Sequence, residues 1–163
     1  MNLENDNNVN EGSVEDVVER YRPELKKLTP YLKWLRSNAS IDVSQAYSNS
    51  ELKYMSFPIY DSNLLAFVKA AQSTNLLDRN YVYVYSRNRL RNYKDELLFI
   101  EKAGITEMDE LAGILSKYIL SGMTKGTVWA EGVKNGVLYS VVSKMDELVE
   151  FWGHAGASNN FNL

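Results

Sequence analysis

The stretch Val137–Trp152, VLYSVVSKMDELVEFW, decides the fold class of this chain. Its large apolar side chains recur three and four residues apart, at Leu138, Val141, Val142, Met145, Leu148, Val149 and Trp152. That spacing places them along one face of an α-helix. The sequence therefore predicts a long amphipathic helix, ended by Gly153, which packs its apolar stripe against other helices.

Shorter helical patterns lie upstream of this stretch. Thr106 followed by Asp109 resembles a capping box for a helix that ends at Gly122, and Asp61 is a typical N-cap. Further helices are predicted from Ser13, after Thr29-Pro30, and over Lys94–Ala103. We therefore predict a mainly α single-domain bundle of about six or seven helices.

The two ends of the chain differ from this pattern. Residues 1–12 hold five Asn, three acidic residues and almost nothing apolar, so we expect a disordered acidic tail. Residues 154–163 follow the last apolar stripe and are predicted to be a flexible tail. The helical domain is accordingly predicted to span residues 13–153.

Three segments are less clear in the sequence. Tyr81–Tyr85 alternates aromatic and β-branched residues, which is typical of a short β element, although a helix is an alternative. Asn135-Gly136 indicates a hairpin near residues 128–142, but Trp129, Ala130 and Val133 also have helical spacing. Residues 36–57 read as a loop with one helical turn near Val43–Tyr47, after which Pro58–Tyr60 is extended.

Composition excludes several kinds of site. The chain has no cysteine, which removes disulfides, zinc ribbons, iron–sulfur clusters and thiol nucleophiles. Its single histidine, His154, lies beyond the last predicted helix, and no phosphate-binding or carboxylate metal-binding motif appears. We expect no catalytic residue, no metal site and no cofactor.

Residues 1–15 are acidic and Asn-rich, so we expect no secretion signal there, and no apolar run approaches about 20 residues. The chain carries a formal net charge of −3. We therefore expect a cytoplasmic protein with no membrane partner, and the negative charge argues against nucleic-acid binding by the whole surface.

One segment is a candidate binding site. Residues 79–94 contain five basic residues interleaved with tyrosines. The candidate binding residues are Tyr85, Arg87, Arg89, Arg91, Tyr93 and Lys94. Tyr and Arg are enriched in protein-binding hot spots, and they also pair phosphates and stack bases. A third interpretation is a solvated helix face whose cations pair with Asp95, Glu96 and Glu101.

These observations give three functional hypotheses. The first is a non-enzymatic protein-interaction module, with a protein as its partner and homo-oligomerisation left open. The second is a nucleic-acid-associated accessory protein that uses residues 79–94. The third is an enzyme built on carboxylates and tyrosines, which ranks below the other two because the usual catalytic residues are missing.

The order of several residues resembles a family of uncharacterised small bacterial proteins, labelled as a domain of unknown function. The similar positions are Tyr31-Leu32, Pro58-x-Tyr60, Leu64, Phe67, Tyr118-Ile119, Gly122, Gly126, Trp129-Ala130 and Gly136. Members are single small domains found mainly in bacteria and their mobile elements, so the resemblance implies a phage-related or mobile-element protein. It favours helix over hairpin at Trp129–Gly136 and implies no activity.

The chain departs from this family at one turn. The family usually carries an Arg-Gly-Glu-Arg-like segment before the tryptophan helix, whereas this sequence reads Ser121-Gly-Met-Thr-Lys-Gly126. If those charges carry a family activity, it is lost or altered in this chain. If the turn is structural, its loss has no functional consequence.

Overall fold

The apolar stripe quoted above lies on the last and longest helix of a mainly α chain. The computed structural model describes the backbone of residues 4–41, 43–46 and 58–161, and the side chains of residues 14–41, 43 and 60–154. Within these ranges the chain forms one domain, and the prediction of a mainly α single domain is confirmed, with eight α-helices in place of six or seven. The helices are α1 (Glu4–Leu25), α2 (Leu32–Asn38), α3 (Ser62–Gln72), α4 (Tyr81–Asn88), α5 (Tyr93–Lys102), α6 (Met108–Gly122), α7 (Thr127–Lys134) and α8 (Val137–Phe161).

Three minor elements join the helices. Single 3-10 turns occupy Thr29–Tyr31 and Ile105–Glu107. The strands β1 (Ser44–Ala46) and β2 (Pro58–Tyr60) pair antiparallel, with Ser44 opposite Tyr60. The extended conformation predicted for Pro58–Tyr60 is confirmed. The helical turn predicted near Val43–Tyr47 is wrong over Ser44–Ala46, which is a strand, and Tyr47 lies outside the described residues.

Helix α6 is the centre of the fold. It buries residues around most of its circumference, including Leu111, Ile114, Leu115 and Ile119, which are fully excluded from solvent. It packs against α3, α4, α7 and α8. A helix that is apolar nearly all round must be surrounded by other elements, which explains this position.

Helix α8 packs against α1, α2, α5, α6 and α7. Its predicted stripe is buried at Leu138, Val141, Val142, Met145 and Val149, but the last predicted member, Trp152, is 37% exposed. Burying each such side chain contributes roughly 1.5–3 kcal/mol, so this stripe is a major source of stability. The helix does not end at Gly153, because Gly153 lies against Val18 and Arg22 of α1 and packing there overrides the local stop signal.

Both ambiguous segments are helical, so the β element at 81–85 and the hairpin at 128–142 are wrong. An isolated strand at 81–85 would have no partner, whereas as a helix it buries Val84 against Gly113 of α6. Asn135 and Gly136 separate α7 from α8, and Gly136 has a φ of +80°. Asn135 accepts a hydrogen bond from the Val137 N–H at 2.9 Å and so begins the next helix.

Other helix ends were predicted with mixed success. Asp61 is the N-cap of α3, accepting from the Asn63 N–H at 2.7 Å, as predicted. Thr106 is not a cap: Glu107 accepts from the Gly104 N–H at 2.8 Å, and a 3-10 turn precedes α6. The first helix begins at Glu4 instead of Ser13. Disorder over residues 1–12 and flexibility over 154–163 stay predictions.

Candidate functional site

Helix α4 has two sharply different faces. Val82, Tyr83, Ser86 and Arg87 are exposed and fall within one arc of the helix, with 62% of Val82 and 71% of Tyr83 open to solvent. Tyr81, Val84, Tyr85 and Asn88 are buried or half-buried on the opposite arc. The split follows from the 3.6-residue helical period, which separates residues two apart by about 200°.

The exposed face of α4 continues into the following loop and the start of α5. Arg89, Arg91, Tyr93 and Lys94 are all exposed. We call the exposed side chains of residues 79–94 the Arg/Tyr surface; its main members are Arg79, Val82, Tyr83, Arg87, Arg89, Arg91, Tyr93 and Lys94. Five of the six predicted binding residues are thus exposed, and one of them, Arg87, lies on the outward arc of α4 with Val82 and Tyr83.

Tyr85 is the predicted binding residue that this surface does not include. Its ring lies on the inward side of α4, 5.7 Å from the Lys117 ammonium and in edge contact with Tyr81. Its hydroxyl is buried without a hydrogen-bond partner. Tyr83 lies on the outward side of α4 instead. Composition alone could not show which tyrosine of the segment faces solvent.

The cations of the Arg/Tyr surface have few ion-pair partners. Arg87 pairs with Glu110 of α6 at 3.4 Å, and both ends of the pair reach solvent. Arg79, Arg89, Arg91 and Lys94 make no ion pair within the described part of the chain. The alternative prediction, pairing with Asp95, Glu96 and Glu101, is wrong for the described side chains: Asp95 accepts from the Arg91 N–H, and Glu96 is buried.

Arg89 has an unusual backbone conformation. It ends α4 with a φ of +54° and a ψ of +43°, in the left-handed region. The Leu90 N–H donates to the Tyr85 carbonyl at 3.0 Å and the Arg89 N–H to the Ser86 carbonyl at 3.4 Å, the two bonds of a Schellman motif. Glycine is the usual residue at this position, and a residue with a Cβ costs roughly 1–2 kcal/mol more there.

A polar network lies beneath the inward face of α4. Glu96 of α5 is only 2% exposed, and its carboxylate accepts a 2.5 Å hydrogen bond from the Tyr118 hydroxyl. The other carboxylate oxygen lies 3.6 Å from the Lys117 ammonium. Asn135 donates to the Tyr118 hydroxyl at 3.1 Å, so the network joins α5, α6 and the end of α7.

Both tyrosines of this region resist ionisation. Burial raises the pKa of Tyr118 well above its usual range, and the hydrogen bond to Glu96 raises it further. Burial also raises the pKa of Tyr85, with the Glu96 charge adding to the effect. The sequence does not predict this network. Glu96 lies in the charged first turn of α5, and no local pattern indicates that its side chain is buried.

Two clefts flank the ends of the Arg/Tyr surface. A cavity of about 480 Å³ is lined by Arg79 together with Tyr21 and Asp109, and the Tyr21 hydroxyl donates to the Asp109 carboxylate. Arg20 lies 3.7 Å from the same carboxylate. A second cleft of about 510 Å³ is lined by Tyr93, Glu131 and Lys134, with Asn135 of the buried network at its edge.

The residues behind the family resemblance are brought together by packing. Tyr60 and Trp129 meet edge to face, with ring centroids 5.5 Å apart. Gly126 lies against the Tyr60 hydroxyl and Gly122 against the Trp129 indole, where a Cβ would collide. Trp129 also donates to the Ile119 carbonyl at 3.0 Å. These contacts around the turn at residues 121–126 all serve packing of the fold.

Three further observations bear on other kinds of site. Within the described residues, no group of three or more His, Asp and Glu could hold a metal ion. No described helix is long and apolar enough to cross a membrane. A tyrosine hydroxyl donates a hydrogen bond to a carboxylate in two places, Tyr118 to Glu96 and Tyr21 to Asp109. The hypothesis of an enzyme built on carboxylates and tyrosines stays a prediction.

Comparison with known proteins yields no relative: no family model, no curated protein and no solved structure matches this chain. The family resemblance and its bacterial or phage setting stay predictions.

Proposed function

We propose that this protein is a non-enzymatic interaction module that binds a partner protein through the Arg/Tyr surface. The observation that carries the proposal is the exposure of Tyr83, at 71%, beside Val82, at 62%, in a segment that holds five basic residues. Tyr is intermediate in its tendency to be buried, and where Tyr and Arg stand exposed together they are typical of binding hot spots.

The rest of the surface supports this assignment. Val82 and Tyr83 supply apolar contact area on a helix that fixes their backbone, and both side chains have few rotatable bonds, so ordering them on binding costs little entropy. Arg87, which pairs with Glu110 at 3.4 Å, sits one turn further along the same face. A central apolar pair with polar residues around it is the usual arrangement of a protein interface.

The test is co-purification from lysate with a variant in which Tyr83, Arg87, Arg89 and Arg91 are all replaced by alanine. We expect this variant to fold, because these side chains face solvent, and to lose proteins that co-purify with the wild type. Leu65→Ala is the matched control, since Leu65 is also an exposed apolar residue but lies on α3. A folded variant with an unchanged set of partners would refute the proposal.

A second candidate function is binding of single-stranded nucleic acid by the same surface. The observation that favours it is the absence of any acidic residue among residues 79–94, which hold five basic ones. Such binding depends steeply on salt because counterions are released from the phosphates. Fluorescence anisotropy with a labelled single-stranded oligonucleotide tests it, and no binding at low salt would dispose of it.

A further inference from the structure

The sequence of the Arg/Tyr surface carries charge of one sign. Residues 79–94 hold five basic and no acidic residues, although the whole chain has a net charge of −3. Within the described residues, Arg79, Arg89, Arg91 and Lys94 have no ion-pair partner. These cations are exposed and therefore open to carboxylates of another molecule.

Arg89 adds an independent observation. It occupies a left-handed position where glycine is favoured, so its side chain is kept at a cost in stability. Residues that break a local rule without a compensating contact inside the protein are often functional. The Arg89 side chain is exposed and makes no ion pair with any residue whose side chain the structure describes, so none of those residues provides the compensating contact.

We propose that the partner presents an acidic peptide segment, rich in Asp and Glu, which also carries a large apolar side chain. This inference rests on the proposed function and specifies its partner. The carboxylates of the segment pair with Arg89, Arg91 and Lys94. Its apolar side chain packs on Val82 and Tyr83, the exposed pair on α4.

The distribution of charge favours a peptide over a nucleic acid. A nucleic-acid backbone carries one charge per nucleotide and needs cations along its whole path. Here Glu110 stands beside Arg87, and the exposed Asp78 stands beside Arg79, so acidic groups interrupt such a path. A peptide can place carboxylates against the cations and an apolar residue between them.

The experiment is selection of a random-sequence peptide display library on the intact wild-type chain. We expect the selected peptides to be enriched in Asp and Glu and to share an aliphatic or aromatic residue. The tightest peptide is then synthesised and titrated against two triple variants. One carries Arg89→Glu, Arg91→Glu and Lys94→Glu; the control carries Lys26→Glu, Lys33→Glu and Lys69→Glu, which makes the same charge change on exposed residues elsewhere.

The surface variant is expected to weaken binding at least about tenfold, as loss of hot-spot cations does, while the control stays near wild type. Circular dichroism confirms that both variants are folded. Selected peptides without acidic enrichment, or equal weakening in both variants, would overturn the inference. Tighter binding of a single-stranded oligonucleotide that responds to the same variant would also overturn it, in favour of nucleic acid.

A variant that is more stable than the wild type excludes misfolding as the cause of weaker peptide binding. Arg89→Gly relieves the left-handed strain and is expected to raise the thermal midpoint while it weakens peptide binding. Unchanged peptide affinity in Arg89→Gly would contradict the role given to Arg89. If the selected peptides are not acidic but co-purification still depends on Tyr83, the inference fails and the proposed function stands; if both fail, both are wrong.

Discussion

The two faces of helix α4 use the same residue types in opposite ways. Tyr85 turns inward, where its ring lies near Lys117 and its hydroxyl is buried, while Tyr83, two residues earlier, is 71% exposed. A strand at 81–85 would have put Tyr81, Tyr83 and Tyr85 on one side, because strands alternate with a period of two. A helix divides them. Composition therefore identifies the segment, but only the helical phase decides which tyrosines can meet a partner.

Among the changes that test the inward side of α4, alkaline pH should lower the free energy of unfolding most, because it acts on both buried tyrosines together. Burial holds the pKa values of Tyr85 and Tyr118 above the ordinary value of 10.0. Their contribution to stability is full below pH 10 and falls as pH rises towards the folded-state pKa. The unfolded chain then loses protons that the folded one keeps, which costs about 1.4 kcal/mol per pH unit for each tyrosine.

The measurement is the denaturant midpoint at a series of pH values above 10.0. Tyr118→Phe is the control, since it removes one of the resistant hydroxyls and should give a shallower decline. An identical decline in wild type and variant would contradict the assignment of these tyrosines to the inward side.

Among single substitutions, Glu96→Ala should give the largest loss of unfolding free energy. It removes the acceptor of the Tyr118 hydroxyl and leaves the Lys117 ammonium without its partner. Because Lys117 stays 31% exposed, most of the loss comes from the buried Tyr118 hydroxyl left without an acceptor, and we expect about 2–4 kcal/mol in chemical denaturation. Glu96→Gln keeps the shape and an oxygen acceptor but not the charge, and should lose clearly less; equal losses would show that the carboxylate charge, not the side-chain shape, matters at this position.

Tyr118→Phe is expected to cost about 1–3 kcal/mol, because Glu96 and Asn135 would each lose a buried partner. Chemical denaturation measures this loss of stability. Peptide binding by the Arg/Tyr surface is measured as a second, independent property of the variant. Binding of the selected peptide should stay at the wild-type level in the folded variant. A loss of binding larger than the loss of stability would show that the two faces of α4 are coupled.

Some of this arrangement could be predicted from the sequence and some could not. The stripe of α8 and the Asp61 cap follow from local spacing, and the density of cations at 79–94 is visible by inspection. The α4 helix was obscured because Tyr81–Tyr85 has strong strand propensity, which packing of Val84 against α6 overrides. The Glu96 network depends on contacts between residues 22 positions apart, and no local pattern encodes them.

Tyr85→Phe tests the inward side with a smaller effect. The Tyr85 hydroxyl is buried without a partner, so the folded state bears its desolvation without a hydrogen bond in return. Removing it should leave the free energy of unfolding unchanged or raise it by up to about 1 kcal/mol. A loss above about 1 kcal/mol in chemical denaturation would indicate that this hydroxyl does bond to Glu96 in solution.

Tyr83→Ala should have the smallest effect on stability and therefore separates the two faces most clearly. Its side chain is largely exposed, so the change in unfolding free energy should stay within about 0.5 kcal/mol. Peptide affinity should nevertheless fall at least about tenfold, since an exposed aromatic in a binding surface is lost. Val82→Ala, one position away and also outward, should reduce affinity less because its side chain is smaller. If Tyr83→Ala destabilises the fold by as much as Tyr118→Phe does, then Tyr83 packs against the domain in solution and α4 does not have an outward binding face.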